Sequence, residues 1–265
     1  MSSMDKVKSD IQICLAKTCA DFEDVFKLVY KKYRECGYIK ENSTQMHVTL
    51  WNLLPQSYTV IARRDSDIVG TVTCVIDSSA GLLLDEIAGI QLISLRQEGR
   101  KICEISADVS IDKDIESKTV LNMYRYAYCL AINFLEVTDF VIAVNPRHES
   151  FFKRIFLFEQ IAGVQPYKKV QNSPAVSLRL NLYQDENIHG QKYENCSQYQ
   201  NMRHFFTNDQ NESLKKRIRF ELESRNKNVS SQMLLTLLKR HHIDILNNFL
   251  NHKFFEKEWN AFNQD

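Results

Sequence analysis

The sequence predicts an α/β protein, a mixed β-sheet flanked by helices and followed by a helical extension. Three observations lead there. The stretch CEISADVSID sets Cys103, Ile105, Ala107, Val109 and Ile111 against Glu104, Ser106, Asp108, Ser110 and Asp112 in unbroken alternation, the period of a strand. The segment after it, about 116–135, carries Leu121, Tyr124, Tyr128, Ala131 and Leu135 at helical spacing, a stripe widened by Val120, Met123, Ala127, Leu130 and Phe134. Next comes TDFVIAVNP (138–146), a short continuous apolar run of the kind found in buried strands.

The remaining elements fit this frame in order. DIQICLAKT (10–18) reads as a first strand, and Phe22, Val25, Phe26, Val29, Tyr30 and Tyr33 recur at helical spacing until Gly37 ends the helix. SYTVIARR (57–64), the turn DSD and IVGTVTCVID (68–77) form a hairpin. LLLDEIAGIQLISLRQEGR is helical with a broad apolar face and leads into the CEISADVSID strand. HESFFKRIF is a short helix, a strand is expected near Phe158–Val164, and PAVSLRLNL (174–182) closes the sheet. From about Asn187 the composition shifts to Asn, Gln, Lys and Glu with helical patches such as SLKKRIRFELESR. The division is therefore residues 1–185 as one domain and 186–265 as a helical extension, suited to dimerisation or partner docking.

Size and charge limit the functions. A chain of 265 residues with 44% hydrophobic side chains buries a real core, and a net charge of +1 provides no overall field for nucleic acid or an anionic membrane. Seven scattered cysteines lack zinc-ligand spacing, which fits a reduced chain in the cytoplasm without a metal. MSSMDKVKSD has no apolar signal region, and nowhere do about 18 apolar residues run together as a membrane span needs. The glycine-rich phosphate loops are missing too.

Glu104 is the principal candidate for chemistry, since a carboxylate held in a cleft on a central strand can take a proton from an attacking amine. The bland reading is that Glu104, Ser106 and Asp108 form a solvated strand face. VNPRHES (144–150) joins a strand to a helix, where open α/β sheets bind ligands, so Asn145, Arg147 and His148 are candidates to hold a phosphate or carboxylate. His148 alone is a weak candidate base. Tyr33 and Tyr38 could line a pocket, although aromatic spacing on a helix more often means core. The basic groups Arg96, Arg100, Lys101 and Arg147, Lys153, Arg154, Lys168, Lys169 would steer an acidic protein if both lay at one mouth.

The strings YKKYRECGYI (30–39), SYTVIARRDSDIVGTVTCVIDSSAGLLLDE (57–86), LRQEGRKICEIS (95–106) and NPRHESFFKRIFLFEQIAGVQPYKKVQNSPAVSLRLNL (145–182) resemble, in order and spacing, the long-chain N-acyl amino acid synthases. This is the FeeM-like branch of the GNAT acyltransferase superfamily, related to the acyl-homoserine-lactone autoinducer synthases. The resemblance covers about residues 25–182. It implies a GNAT-like mixed, splayed β-sheet, and transfer of a long acyl chain from acyl carrier protein, or less favourably coenzyme A, to the amino group of an amino acid. No cofactor is held permanently; acyl-phosphopantetheine is the donor. Glu104 matches the carboxylate of the family's E-x-S string and Ser106 its serine, with Ser106, Asp108, Asn145, Arg147, His148, Tyr33 and Tyr38 expected around substrate and pantetheine. Ile87, Ile90, Tyr124 and Tyr128 are expected to wall an acyl tunnel, with plain core packing the alternative.

The sequence also departs from the family. Ala107 stands where an arginine usually follows the serine, and Val29 where autoinducer synthases carry an arginine, which disfavours homoserine-lactone chemistry. Phe151-Phe152 replaces the Phe-Tyr pair of many acetyltransferases, and DVSIDKDIES lacks their pyrophosphate loop. Acylation of another amine from acyl-CoA, and a catalytically silent acyl-binding module, remain as competing readings.

Overall fold

The computed structural model describes residues 10–54, 56–110, 117–183, 211–228 and 236, with backbone alone at 107–110, 117, 211 and 226–228. Seven strands, β1 (Ile11–Leu15), β2 (Ser57–Arg64), β3 (Asp67–Ile76), β4 (Ile102–Ser110), β5 (Asp139–Val144), β6 (Glu159–Tyr167) and β7 (Ser173–Asn181), form one sheet in the order β1-β2-β3-β4-β5-β7-β6. The sheet is accompanied by the α-helices α1 (Cys19–Glu35), α2 (Asp85–Gln97), α3 (Ser117–Phe134), α4 (Pro146–Ile155) and α5 (Asn211–Asn228). The strands and helices predicted between residues 10 and 182 are present within a few residues of their expected ends.

Local chemistry sets the boundaries. Thr18 and Asp21 close a capping box at the start of α1, and Gly37, at φ +73°, follows its end. Asp65, at φ +54°, turns β2 into β3. Pro146 opens α4 behind the capping side chain of Asn145, which accepts the Arg147 N–H.

Strand alternation sorts the core onto two faces. Val60, Cys74, Cys103, Ile105, Phe140 and Ile142 pack with residues of α3, α4 and α5, whereas Ile61 packs with α1, and Val75, Ile102 and Val141 with α2. Helix α5 is part of this core. Its Ile218 is fully buried with Tyr126, and its Glu221 accepts hydrogen bonds from the Leu15 N–H at 2.8 Å and the Tyr126 hydroxyl at 2.7 Å. Arg225 donates to the Ser57 carbonyl at 2.7 Å and lies 4.5 Å from the Tyr58 ring centre. The rest of the expected extension, His241 and His242 included, lies outside the described residues.

Two irregularities shape the centre of the sheet. All strand pairs are antiparallel except β4 with β5, which pair in parallel through Ile102–Asp139, Cys103–Phe140 and Glu104–Val141 and no further. Beyond Glu104, β4 stays with β3 and β5 with β7, so the two central strands part into a V. A bulge also lies on β4, since Thr73 pairs with Ser106 but Thr71 with Val109. The extra residue shifts the phase, and Val109, not Asp108, falls in register with the Ser106 row. The unbroken alternation expected from sequence stops there, and the Asp108 side chain lies outside the described residues.

Candidate active site

The V opens into a cavity of about 430 Å³. Glu104, Ile105 and Ser106 line one edge, and Ile142, Ala143, Val144 and Asn145 the other. Tyr33, Tyr38, His47 and Leu83 close it on the α1 and α2 face, while Val120, Phe151 and Phe152 line it from the helices of the opposite face. The cavity therefore passes through the plane of the sheet where the β4–β5 ladder ends. An extended ligand can thread this slot, with ladder-free backbone of both strands beside it.

Glu104 stands at the throat and is 3% exposed. Its carboxylate accepts the Leu84 N–H at 3.0 Å, at the start of α2, where free amides favour negative charge. Burial pushes its pKa up from 4.5 to about 8; the Leu84 and Leu83 amides pull it down, and the Asp85 and Asp77 carboxylates add to the rise. An acid tuned to this range exchanges protons near neutral pH, as a general base requires. Tyr167, buried at the end of β6, also lines the cavity, and burial with the charges of Glu104 and Glu86 keeps its phenol protonated.

Of the expected binding residues, Ser106, Asn145, Arg147, His148, Tyr33 and Tyr38 are brought to this cavity. Tyr33 and Tyr38 meet edge to face at 5.7 Å. The Asn145 side chain is engaged in capping α4, and Arg147 donates to His148 Nε2 at 2.9 Å. Burial and the adjacent Arg147 lower the His148 pKa.

The residues expected to wall an acyl tunnel, with core packing as the alternative, lie away from this cavity. Ile87, Ile90, Tyr124 and Tyr128 do not line the cavity. Ile87 packs beneath α2 with Val75 and Leu92, and Ile90 is 78% exposed on the outer side of that helix. Tyr124 stacks on Phe156 at 4.2 Å, and the Tyr128 hydroxyl points to the Leu182 carbonyl. The apolar surface of Ile87, Tyr124 and Tyr128 is used for packing, and that of Ile90 faces outward. The basic residues also divide. Arg96 pairs with Asp77 and Asp85, Arg100 with Asp139 and Lys101 with Glu136, so this group sits on ion pairs, two of them at the closed end of β4 and β5. Arg147 and Lys169, joined by Lys32 from α1, line the cavity.

Sequence reasoning missed His47, Tyr167 and the Leu84 amide. His47 lies in an irregular segment with no periodicity; its ring packs on Tyr33 at 5.0 Å, and burial lowers its pKa to about 4, so it is neutral at pH 7. Tyr167 follows Pro166 at a strand end, a faint signal, and a backbone amide carries none. Among the described residues no cluster of His, Cys, Asp or Glu is arranged to hold a metal, and no helix is long and apolar enough to cross a membrane.

The family model of the N-acyl amino acid synthase FeeM matches residues 24–181, well over half of the chain. The chain belongs to the FeeM family. Among solved structures it is similar to FeeM, an N-acyl amino acid synthase from uncultured soil microbes, with 20% identity and a TM-score of 0.59 over 66% of this chain and 93% of that one. It is also similar in fold to the AHL synthase LasI, with 14% identity and a TM-score of 0.50 over 66% and 91% of the two chains. No curated protein sequence matches. Family and fold together make this FeeM-family protein an N-acyltransferase.

Proposed function

We propose that the protein moves a long-chain acyl group from acyl carrier protein to the α-amino group of an amino acid, with Glu104 as general base. The observation that carries this reading is the buried Glu104 carboxyl at the throat of a slot that crosses the sheet. The phosphopantetheine arm lies between β4 and β5, its amides meeting the ladder-free backbone. The acyl chain extends toward Val120, Phe151 and Phe152, and the amine enters from the side of Tyr33, Tyr38 and His47. Glu104 takes a proton from the amine as nitrogen attacks the thioester carbonyl. The C–N bond forms, the C–S bond breaks, and the proton ends on the departing thiol. Arg147 and Lys169 at the cavity, with Lys168 next to Lys169 in sequence, suit an acidic carrier protein acting in the cytoplasm.

The test is to incubate the purified protein with long-chain acyl carrier protein or acyl-CoA and each amino acid, and to detect amides by mass spectrometry. The reading expects N-acyl amino acids, formed faster from the carrier protein and more slowly as salt rises. Equal use of acyl-CoA, insensitive to ionic strength, rejects the carrier. Acylation of amines lacking a carboxylate in preference to amino acids rejects the acceptor, and no transfer from either donor rejects the reading.

A further inference from the structure

Arg96 lies outside the cavity and yet is bound to what holds Glu104. Its Nε and Nη2 donate to the two Asp77 oxygens at 2.6 and 2.9 Å, and its Nη1 and Nη2 donate to the two Asp85 oxygens at 2.7 and 2.8 Å. Asp77 follows the last residue of β3, and Asp85 is the first residue of α2. On a straight helix Asp85 and Arg96 would be separated by about 16 Å, too far for these bonds. Ala88, at φ −138° and ψ 25°, kinks α2 and makes the contact feasible. Asp85 in turn accepts the Leu82 N–H at 2.7 Å, and its carboxylate lies 2.7 Å from where a Cβ would stand on Gly81, at φ +66°. The loop wound tightly on Asp85 ends at Leu84, whose N–H meets Glu104.

We propose that Arg96 is the positioning residue for Glu104: by clamping Asp77 to Asp85 it fixes the Leu84 amide on the Glu104 carboxylate and offsets part of the charge of two carboxylates that repel it. The proposal rests on the reading of Glu104 as the base. The charged and titratable groups around Glu104 are Asp77 after β3, Asp85 on α2, Cys103 on β4 and Tyr167 on β6. Of these the aspartates are the pair that Arg96 binds. Arginine suits the task because its planar fork serves both carboxylates at once, which a lysine cannot do.

The experiment is a ¹³C NMR titration of the Glu104 carboxyl in the full chain, assigned by its absence in Glu104→Gln, together with the pH profile of kcat/KM. In Arg96→Met the Glu104 titration is expected to move upward by about one pH unit, and the rise of kcat/KM with pH to move with it, lowering activity near pH 7 by about tenfold. Adding Asp77→Asn and Asp85→Asn to Arg96→Met should return part of the shift. If Arg96→Met does not fold, Arg96→Lys is measured instead and is expected to show a smaller shift in the same direction. A Glu104 titration unmoved in the folded variant overturns the clamp. A titration that moves while the activity profile stays put supports the clamp and rejects Glu104 as the base.

Discussion

The Leu84 amide and the Glu104 carboxylate meet at 3.0 Å across twenty residues of chain, and this contact joins the start of α2 to the throat of the cavity. Burial alone favours the protonated acid, while the amide favours the carboxylate. Together they leave an acid that titrates at about 8, so roughly a tenth is ionised at pH 7.

Acyl transfer should therefore follow that ionisation. The kcat/KM of the free enzyme is expected to rise about tenfold per pH unit below pH 8 and to level off above it. Glu104→Gln should lose about 10²–10⁴-fold and the pH dependence with it. A flat wild-type profile from pH 6 to 9, or a fully active Gln variant, would sink the assignment.

The same group makes folding sensitive to pH. The carboxyl titrates at about 8 when folded and near 4.5 when unfolded, so as pH rises the unfolded chain releases its proton first. The favourable contribution is complete below about pH 4.5 and is lost as pH climbs to about 8, on the order of a few kcal/mol in all. Urea unfolding at pH 5, 6.5 and 8 should show wild type losing stability relative to Glu104→Gln. A difference between the two that stays constant over this range would contradict the burial account.

Chain-length preference should respond to the cavity and not to α2. Val120→Phe fills the slot from the α3 side and is expected to favour shorter acyl donors. Ile90→Trp changes a side chain that is 78% exposed and should alter stability by less than about 0.5 kcal/mol, with chain preference unchanged. Competition among C8 to C16 acyl donors read by mass spectrometry checks both, and a shift caused by Ile90→Trp alone would restore α2 as a wall.

What was legible in sequence is what periodicity carries. Alternation placed Glu104 and Ser106 correctly on one face of β4, because a strand's two faces are written in consecutive residues. It did not register the bulge between Ser106 and Val109, an added residue that leaves no mark in the hydrophobic pattern. The helical stripes identified Tyr124 and Ile87 as inward-facing, but a stripe cannot tell a cavity from a packed partner, and here the partners are Phe156 and Val75. His47, Tyr167 and Leu84 reach the site through tertiary adjacency alone.

On the far side of the sheet, Glu221→Ala would leave the Leu15 N–H and the Tyr126 hydroxyl buried without their acceptor, costing about 2–3 kcal/mol. A double-mutant cycle with Tyr126→Phe should show coupling of at least about 0.5 kcal/mol. Additive losses would mean that the contact contributes nothing of its own.

That contact also decides how the protein behaves in a crowd. A sheet has two outer strands, and each is a template on which another chain can add. At the β6 end, two register shifts and Pro166 interrupt the ladder that a newcomer would need. At the β1 end, among the described residues, Glu221 reaches over from α5 and occupies the amide of Leu15. One edge is thus protected by its own strand and the other by a distant helix. Loss of α5, by proteolysis or local unfolding, would uncover the Leu15 amide together with the core surface around Ile218, exposing an adhesive edge and an apolar face at once.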